Sequence, residues 1–366
     1  MRIEPLENWV PDYQKPLIIA GPCSVESQAQ FSEMIERLPS QKVHFVRGGI
    51  WKPRTRPGNF EGHGAKAFEW VNTTKKSHPF RFATEVATPE HVDRALAQGV
   101  DLLWIGARTT VNPFNVQQLA DALKGKDVAV LVKNPINPDL SLWKGAMERF
   151  ADAGITKLGA IHRGFHSHQP SRFRNPPIWQ IPLELKSHWP EMPLICDPSH
   201  IGGDAAMVQE IAQRALDLDY DGLMIESHCN PSVALSDAKQ QVSPETLDEI
   251  LSSLALRAST FSDVLLNDEL DQLRQQIDQA DRDILDAIAT RMGLVERIGN
   301  YKKENNVAIF QISRWKEVFK SRPEWGKLLD LDPEFIMELY RQIHQQSVKK
   351  QTAVFNKEDK EVDSSI

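Results

Sequence analysis

Residues 17–24, Leu-Ile-Ile-Ala-Gly-Pro-Cys-Ser, form a short apolar run that ends in a cysteine and a serine. Seven further runs of this kind follow in the first two-thirds of the chain, each with a polar or charged residue at its end or next to it. Short and often β-branched runs are typical of parallel strands that are buried on both faces. The eight predicted strands are Leu17–Ser24, Val43–Arg47, Arg81–Val86, Leu102–Arg108, Ala129–Lys133, Leu158–Arg163, Pro193–His200 and Leu223–His228.

Amphipathic segments of helical length separate most of these runs. Examples are Gln28–Leu38, Pro89–Gln98, Val116–Leu123, Leu142–Ala153 and Ala205–Leu218. Eight strand–helix alternations in about 250 residues predict an α/β fold, a (β/α)8 (TIM) barrel, whose catalytic residues gather at the C-terminal ends of the strands. The predicted strand ends carry Cys23, Arg47, Glu85, Arg108, Lys133, Arg163, Asp197, His200 and Glu226.

The overall composition narrows the class of ligand. A chain of 366 residues with a net charge of −7 is unlike a general nucleic-acid binder. Cations gathered at strand ends in an acidic protein therefore predict small ligands with several negative charges. Three cysteines without a spacing motif, no apolar run of about 18 residues and no signal peptide predict a cytosolic protein that contacts neither membrane nor nucleic acid.

A heptad pattern marks a second domain after the barrel. One apolar series recurs at multiples of seven residues and comprises Leu270, Ile277, Ile284 and Ile298, and the interleaved series comprises Leu273, Ala280, Ala287, Leu294 and Tyr301. This pattern predicts one helix of roughly 35 residues, about 50 Å long. Shorter helices near Ser313–Ser321 and Pro333–Lys350 complete an all-α three-helix domain. The predicted boundaries are a barrel at 1–256, a linker at 257–268, a helical domain at 269–354 and a disordered tail at 355–366.

The strongest local motif follows the second predicted strand. Residues 47–55 read Arg-Gly-Gly-Ile-Trp-Lys-Pro-Arg-Thr, so three cations and a hydroxyl fall within nine residues. Guanidinium and ammonium groups in this density suit phosphate and carboxylate ligands. Surface basicity would explain one isolated arginine, but cations at the ends of successive buried strands favour an anion site. Other strands add Arg108, Lys133 and Arg163.

A second constellation combines a thiol, an imidazole and two carboxylates, namely Cys23, His200, Glu226 and Asp237. Cys23 alone would suit the core, and His200 alone would suit a turn. Glu226 needs a partner because it ends an apolar strand. A mixed donor set of this kind favours Mn, Fe, Co or Zn, although four residues from separate loops do not by themselves establish a metal site.

These motifs resemble the 3-deoxy-D-arabino-heptulosonate 7-phosphate (DAHP) synthase family of type I beta across residues 10–256. The similar segments are Gly21–Ser24, Lys52–Thr55, Gly106–Arg108, Asp197–His200 and Glu226–His228. The resemblance implies condensation of phosphoenolpyruvate with erythrose 4-phosphate at a divalent metal. Octulosonate 8-phosphate synthases, which use a five-carbon sugar phosphate, resemble the barrel but lack Lys-Pro-Arg-Thr. They stay open as an alternative, as does a non-catalytic phosphosugar-binding barrel.

The resemblance also implies roles for individual residues. The metal ligands would be Cys23, His200, Glu226 and Asp237. Phosphoenolpyruvate would be held by Arg47, Lys52, Arg108, Lys133 and Arg163, and erythrose 4-phosphate by Arg54 and Thr55. Lys52 is then the candidate proton donor to the new alkoxide. Glu85 or Asp197 would orient the attacking water.

Three cations on the long predicted helix need a separate explanation. Arg291 falls in an apolar heptad series, where a charge is costly without a ligand or partner. Lys302 lies eleven residues later on nearly the same face, whereas Arg274 points roughly 100° away from Arg291, toward a neighbouring chain. A dimerising coiled coil with one structural arginine explains this pattern as well as a binding site does.

Residues 266–352 resemble the all-helical chorismate mutases, in which two intertwined chains form two sites. The resemblance implies a substrate site made by Arg274 of a second chain with Arg291, Lys302, Arg314, Ser347 and Gln351. The cations would fix the two carboxylates of chorismate for rearrangement to prephenate, and Lys302 and Gln351 would stabilise charge on the ether oxygen. Gln311 and Trp315 depart from the usual Asp and Glu, so a purely regulatory dimerisation domain stays open.

The sequence also predicts how the synthase is controlled. The first strand begins by about Leu17, so we expect no N-terminal regulatory domain. The mutase pocket is then the expected sensor, and prephenate the expected inhibitor of the barrel.

Overall fold

The computed structural model describes residues 1–11, 13–52, 58, 60–258 and 264–357. The chain divides into two compact units, Met1–Ser259 and Thr260–Ile366, and each is described by itself. None of the described helices is long and apolar enough to cross a membrane.

Eight parallel strands close into a barrel in sequence order, which confirms the predicted (β/α)8 fold. The last strand pairs with the first, so that Glu226 lies beside Gly21. The strands are β1 Leu17–Gly21, β2 Phe45–Arg47, β3 Phe82–Val86, β4 Leu102–Ile105, β5 Ala129–Lys133, β6 Leu158–His162, β7 Leu194–Cys196 and β8 Gly222–Glu226.

Helices lie between the strands and cover the barrel. Many begin at a side-chain cap, as where the Thr88 side chain accepts a hydrogen bond from the His91 amide and Pro89 occupies the first turn. The described helices of this unit are α1 Gln28–Arg37, α2 Ala65–Ser77, α3 Pro89–Ala97, α4 Ala107–Thr110, α5 Pro113–Leu123, α6 Leu140–Asp152, α7 Gln180–His188, α8 Pro198–Gly202, α9 Val208–Asp217 and α10 Pro244–Ser253.

Five predicted strands, the first, fourth, sixth, seventh and eighth, end earlier in the structure than the sequence indicated. β4 stops at Ile105, so Arg108 lies on the short helix α4. β7 stops at Cys196 because the Asp197 side chain caps α8 and Pro198 occupies its first turn. His200 therefore projects from a helical turn above the strand end.

Apolar side chains fill the barrel in two layers. One cluster packs between the strands and the surrounding helices. A second cluster fills the interior and includes Phe45, Trp104 and Ile161, together with Leu6 and Trp9 from the N-terminal segment. This inner layer supports the polar side chains at the C-terminal ends of the strands.

The second unit contains three helices, α11 Val264–Glu304, α12 Ile312–Lys327 and α13 Pro333–Asn356, as predicted. α11 begins inside the predicted linker 257–268, because residues 264–268 contain no glycine or proline that would stop the helix. α13 likewise extends into the predicted tail 355–366, whose residues 358–366 lie outside the described residues.

Candidate functional sites

Polar donor atoms converge at the C-terminal ends of β1 and β8. Cys23, Glu226 and Asp237 each offer one atom, and these atoms lie within 4.8 Å of one another. The Cys23 thiol donates to Asp237 Oδ2 at 3.4 Å. The Nε2 atom of His200 lies 3.9 Å from Glu226 Oε1. The structure thus brings three of the predicted metal ligands together and places the fourth, His200, beside Glu226.

The second ring nitrogen of His200 is held by a carboxylate. Its Nδ1 lies 3.0 Å from Asp197 Oδ1, which leaves Nε2 on the side of Glu226. Histidines that bind metals commonly have their other nitrogen fixed in this way. Asp237 has a left-handed backbone with φ of 47°, a conformation that is uncommon for a residue other than glycine and is often found at functional sites.

The charges of these donors suit a divalent cation. Burial, with Glu226 beside it, raises the pKa of the Cys23 thiol to about 12. Burial alone would raise the pKa of Glu226 and Asp237, but His200 and neighbouring arginines hold both below their ordinary values. Two ionised carboxylates, an oriented imidazole and a thiol that can lose its proton on binding fit a borderline metal ion.

A buried guanidinium lies next to this cluster. Arg47 is 1% exposed, and its Nη2 donates to Glu226 Oε1 at 2.8 Å. Its Nε and Nη1 atoms are buried and have no hydrogen-bond partner. Buried donors are normally paired, so the free edge of Arg47 points to an anionic ligand.

Trp104 organises the cations inside the barrel, and sequence reasoning missed it. The Arg47 guanidinium lies 5.1 Å and Lys133 Nζ 5.9 Å from the centre of its ring. Trp104 Nε1 donates to Glu85 Oε2 at 3.1 Å. Lys133 Nζ donates to Asp197 Oδ2 at 2.7 Å. Nothing in an apolar strand sequence distinguishes this tryptophan from an ordinary core residue.

Other predicted anion-binding residues occupy different positions around the rim. Lys52 Nζ donates to the Cys23 carbonyl at 2.8 Å and lies 3.0 Å from its sulfur. Arg163 donates to Asn175 Oδ1 at 2.8 Å, and burial, with Arg174 and Arg108 nearby, lowers its pKa to about 10. Arg108 is exposed on α4. Arg54 and Thr55 lie outside the described residues.

Arg174 is a second residue that sequence reasoning missed. Its Nη1 donates to Asp237 Oδ1 at 3.0 Å and to Gln240 Oε1 at 2.6 Å. Gln240 also donates to Glu226 Oε2 at 2.7 Å. These residues lie in long loops after β6 and β8, where apolar periodicity carries no signal.

The helical unit contains a cavity of about 600 Å³. Five predicted substrate-binding residues line it: Arg291, Lys302, Arg314, Ser347 and Gln351. Arg291 Nη1 donates to Ser347 Oγ at 2.6 Å, and Lys302 Nζ donates to the Ile309 carbonyl at 2.6 Å. Gln351 Oε1 is buried and has no hydrogen-bond partner. Arg274 does not line the cavity of its own chain; it is exposed and lies 3.0 Å from Asp271.

The cavity also contains residues that the sequence did not single out as ligands. Gln311 and Trp315 line it, so the two departures from the usual mutase pattern fall inside the site. Arg322, Tyr340 and His344 line it as well. A charged residue on an amphipathic helix is expected to face solvent, so nothing in the sequence indicated that Arg322 lines a cavity.

Comparison with known proteins finds a family match for each unit. A family model described as "DAHP synthetase I family" matches residues 11–259. A second model, described as "Chorismate mutase type II", matches residues 273–352. The two matches correspond to the barrel and to the helical unit.

The individual relatives of the barrel have names of two kinds. The phospho-2-dehydro-3-deoxyheptonate aldolase of Thermotoga maritima is 30% identical over 238 residues, covering 65% of this chain and 68% of that protein. Its crystal structure superposes with a TM-score of 0.60 and 28% identity, covering 66% of this chain and 70% of that one. A 2-dehydro-3-deoxyphosphooctonate aldolase of Wolinella succinogenes is 24% identical, covering 65% of this chain and 97% of that protein.

The helical unit resembles a separate protein. A protein of Streptomyces pristinaespiralis named 4-amino-4-deoxychorismate mutase is 37% identical over 73 residues. The match covers 20% of this chain and 57% of that protein.

Proposed function

Since the chain belongs to the DAHP synthetase I family, we propose that its barrel condenses phosphoenolpyruvate with erythrose 4-phosphate to DAHP and phosphate. The observation that carries the proposal is the free edge of the buried Arg47 guanidinium beside the Cys23, Glu226 and Asp237 cluster. An enol phosphate supplies the carboxylate and phosphate that such a guanidinium binds best.

Different residues of the barrel would bind the metal, bind phosphoenolpyruvate and donate a proton. Cys23, His200, Glu226 and Asp237 would hold a divalent metal that supplies Lewis-acid activation of an aldehyde oxygen. Arg47 and Lys133, both against Trp104, hold phosphoenolpyruvate. Lys52 donates a proton to the oxygen that becomes a hydroxyl when the new carbon–carbon bond forms.

We assign the water-orienting role to Glu85 in preference to Asp197. Both Asp197 oxygens are occupied, one by Lys133 and the other by His200. Glu85 receives a hydrogen bond from Trp104 on Oε2, which leaves acceptor capacity on the carboxylate. Water adds to C2 of the former enol, and the C–O bond to phosphate breaks.

The direct test is to incubate the purified protein with phosphoenolpyruvate and erythrose 4-phosphate and to measure phosphate and DAHP. A matched reaction contains a five-carbon aldose phosphate. Faster turnover of that sugar would favour the octulosonate alternative.

For the helical unit we propose rearrangement of chorismate to prephenate. Arg291 and Arg314 would hold the two carboxylates, and Lys302 with Gln351 would face the ether oxygen. The amino-substituted substrate named for the Streptomyces relative is disfavoured, because no carboxylate occurs among the described residues that line this cavity to receive an ammonium group. The direct test is to follow chorismate consumption by the full-length protein.

We propose that α11 pairs with α11 of a second chain. The seam residues Ile277 and Ile284 are 60% and 55% exposed, which is unusual for isoleucines in a stable helix. Replacing both by aspartate is expected to convert a dimer into monomers in light scattering. Mutase activity should decrease when the dimer is lost, because Arg274 would no longer reach the site of the partner chain.

The matched control for the seam is Gln275→Asp, an exposed position on the opposite side of the heptad. It should leave the mass unchanged. A monomeric wild-type protein with full mutase activity would contradict the dimer.

We propose that prephenate inhibits the synthase by binding in the helical cavity. A coupling of about 1–3 kcal/mol between the sites would change barrel activity 5–150-fold. Deleting residues 266–366 should remove the inhibition, and Arg314→Ala in the full chain should weaken it. Unchanged sensitivity in the truncated barrel would place the control elsewhere. The cytosolic location expected from the sequence stays a prediction.

A further inference from the structure

The helical cavity carries more positive charge than the proposed substrate contacts explain. Arg291, Lys302 and Arg314 have assigned roles, but Arg322 lines the cavity as a fourth cation. The described residues that line the cavity include no aspartate or glutamate. Arg314 pairs with Glu317 at 2.7 Å, outside the cavity lining. Arg291, Lys302 and Arg322 have no ion pair with a carboxylate among the described residues, and such cations favour an anionic ligand.

Arg322 occupies the cavity-facing side of α12. Trp315, Val318 and Arg322 all line the cavity and follow the i, i+3, i+7 spacing of one helical stripe. Phe319, between them in sequence, packs its ring 4.6 Å from that of Trp315. Arg322 lies at the end of this stripe, directly before Pro323, which lies inside α12.

The guanidinium of Arg322 is anchored but only partly satisfied. Nη1 donates to Ser321 Oγ at 2.8 Å, and Cζ lies 4.2 Å from the centre of the Trp325 ring. Nε is buried and has no hydrogen-bond partner. A preorganised guanidinium with a free buried N–H is suited to a carboxylate.

Arg322 also acts on the residue that is most important to the proposed site. The pKa of Arg291 is lowered first by burial and further by Arg322 and Arg314. Arg322 and Arg314 therefore disfavour the charged form of Arg291 until an anion lies beside it. Gln311 and Trp315 add no negative charge that would relieve this repulsion.

We propose that Arg322 is a further substrate-binding residue that donates to a carboxylate of the dianion in the helical cavity. The inference rests on the proposed mutase function for the identity of the ligand. It makes the cavity a four-cation site in which Arg322 supplies binding that the neutral Gln311 and Trp315 cannot supply. Discrimination against ligands with an ammonium group follows from the same charge balance.

The test compares Arg322→Met, Arg322→Lys and the control Arg341→Met in the full-length protein. Arg341 is exposed on α13 and paired with Glu338 at 3.0 Å, outside the cavity. Loss of a charge-assisted bond should raise KM for chorismate roughly tenfold to hundredfold in Arg322→Met, with an intermediate value for Arg322→Lys. Prephenate affinity measured by calorimetry should fall in parallel, and Arg341→Met should match wild type.

The outcomes separate this inference from the mutase proposal. Wild-type activity with a KM in Arg322→Met within twofold of normal would overturn the role of Arg322 alone. An inactive wild type that still binds prephenate through Arg322 would overturn the mutase proposal and support this one. If Arg322→Met loses its helical circular dichroism signal, Arg322→Gln is judged by the same KM and affinity criteria.

Discussion

Replacing Arg291 by alanine is expected to lower kcat/KM for chorismate by about 100- to 1000-fold. Arg291 lines the helical cavity, donates to Ser347 and lies among the described cations that would fix the substrate. A pericyclic rearrangement needs no nucleophile or base, so positioning and electrostatic contacts supply the catalysis. Removing the central guanidinium therefore removes much of it. The rate of chorismate consumption measures the effect.

Condensation in the barrel should be unchanged in the same Arg291→Ala protein. Arg282→Ala is the matched control, because Arg282 is exposed on α11 and bonds Gln279 away from the cavity. A wild-type protein that leaves chorismate at its uncatalysed rate would instead make the helical unit regulatory only.

Removing divalent metal with a chelator is expected to abolish condensation, and adding Mn²⁺ should restore it. The expectation rests on the donor atoms of Cys23, Glu226 and Asp237 within 4.8 Å and on the oriented ring of His200. Cys23→Ser should lower metal affinity strongly, because serine is a much poorer ligand than thiolate for a borderline metal. Loss of the sulfur-to-metal absorption band in the Co²⁺-loaded protein gives a readout independent of turnover.

Two controls accompany the chelation experiment. Cys229→Ser should keep normal metal binding, since Cys229 lies against the Gln30 carbonyl, apart from the cluster. Chorismate rearrangement should survive chelation, because the proposed mechanism uses cationic and polar side chains and no metal ion. Full condensation activity in a verified metal-free preparation would refute the metal requirement.

Much of the barrel follows from sequence because buried parallel strands have a simple signature. β5 begins and ends where the apolar run does, at Ala129 and Lys133. The charged residue after an apolar run marks the open end of a strand, which is how Arg47 and Glu226 were found. The signal weakens where Pro198 and Asp197 convert a strand end into a helical turn.

Functional residues that look like core residues, or that lie in loops or on amphipathic helices, are not marked by the sequence pattern. Trp104 looks like core until the two cations against its ring are seen. Arg174 lies in a loop without apolar periodicity, and its contact with Asp237 joins segments 63 residues apart. Arg322 sits on an amphipathic helix, where its charge suggests solvent rather than a cavity.

Because β1 pairs with β8, the proposed metal site lies where the barrel closes, and a bound ion would also affect the stability of that closure. Cys23 and Asp237 are 214 positions apart, yet their side chains meet where the first and last strands close the cylinder. A cation bound to both residues would link the two ends of the long segment between them, which lie apart in the unfolded chain. The ion would then stabilise the pairing of β1 with β8 against proteolysis, in addition to its role in the reaction.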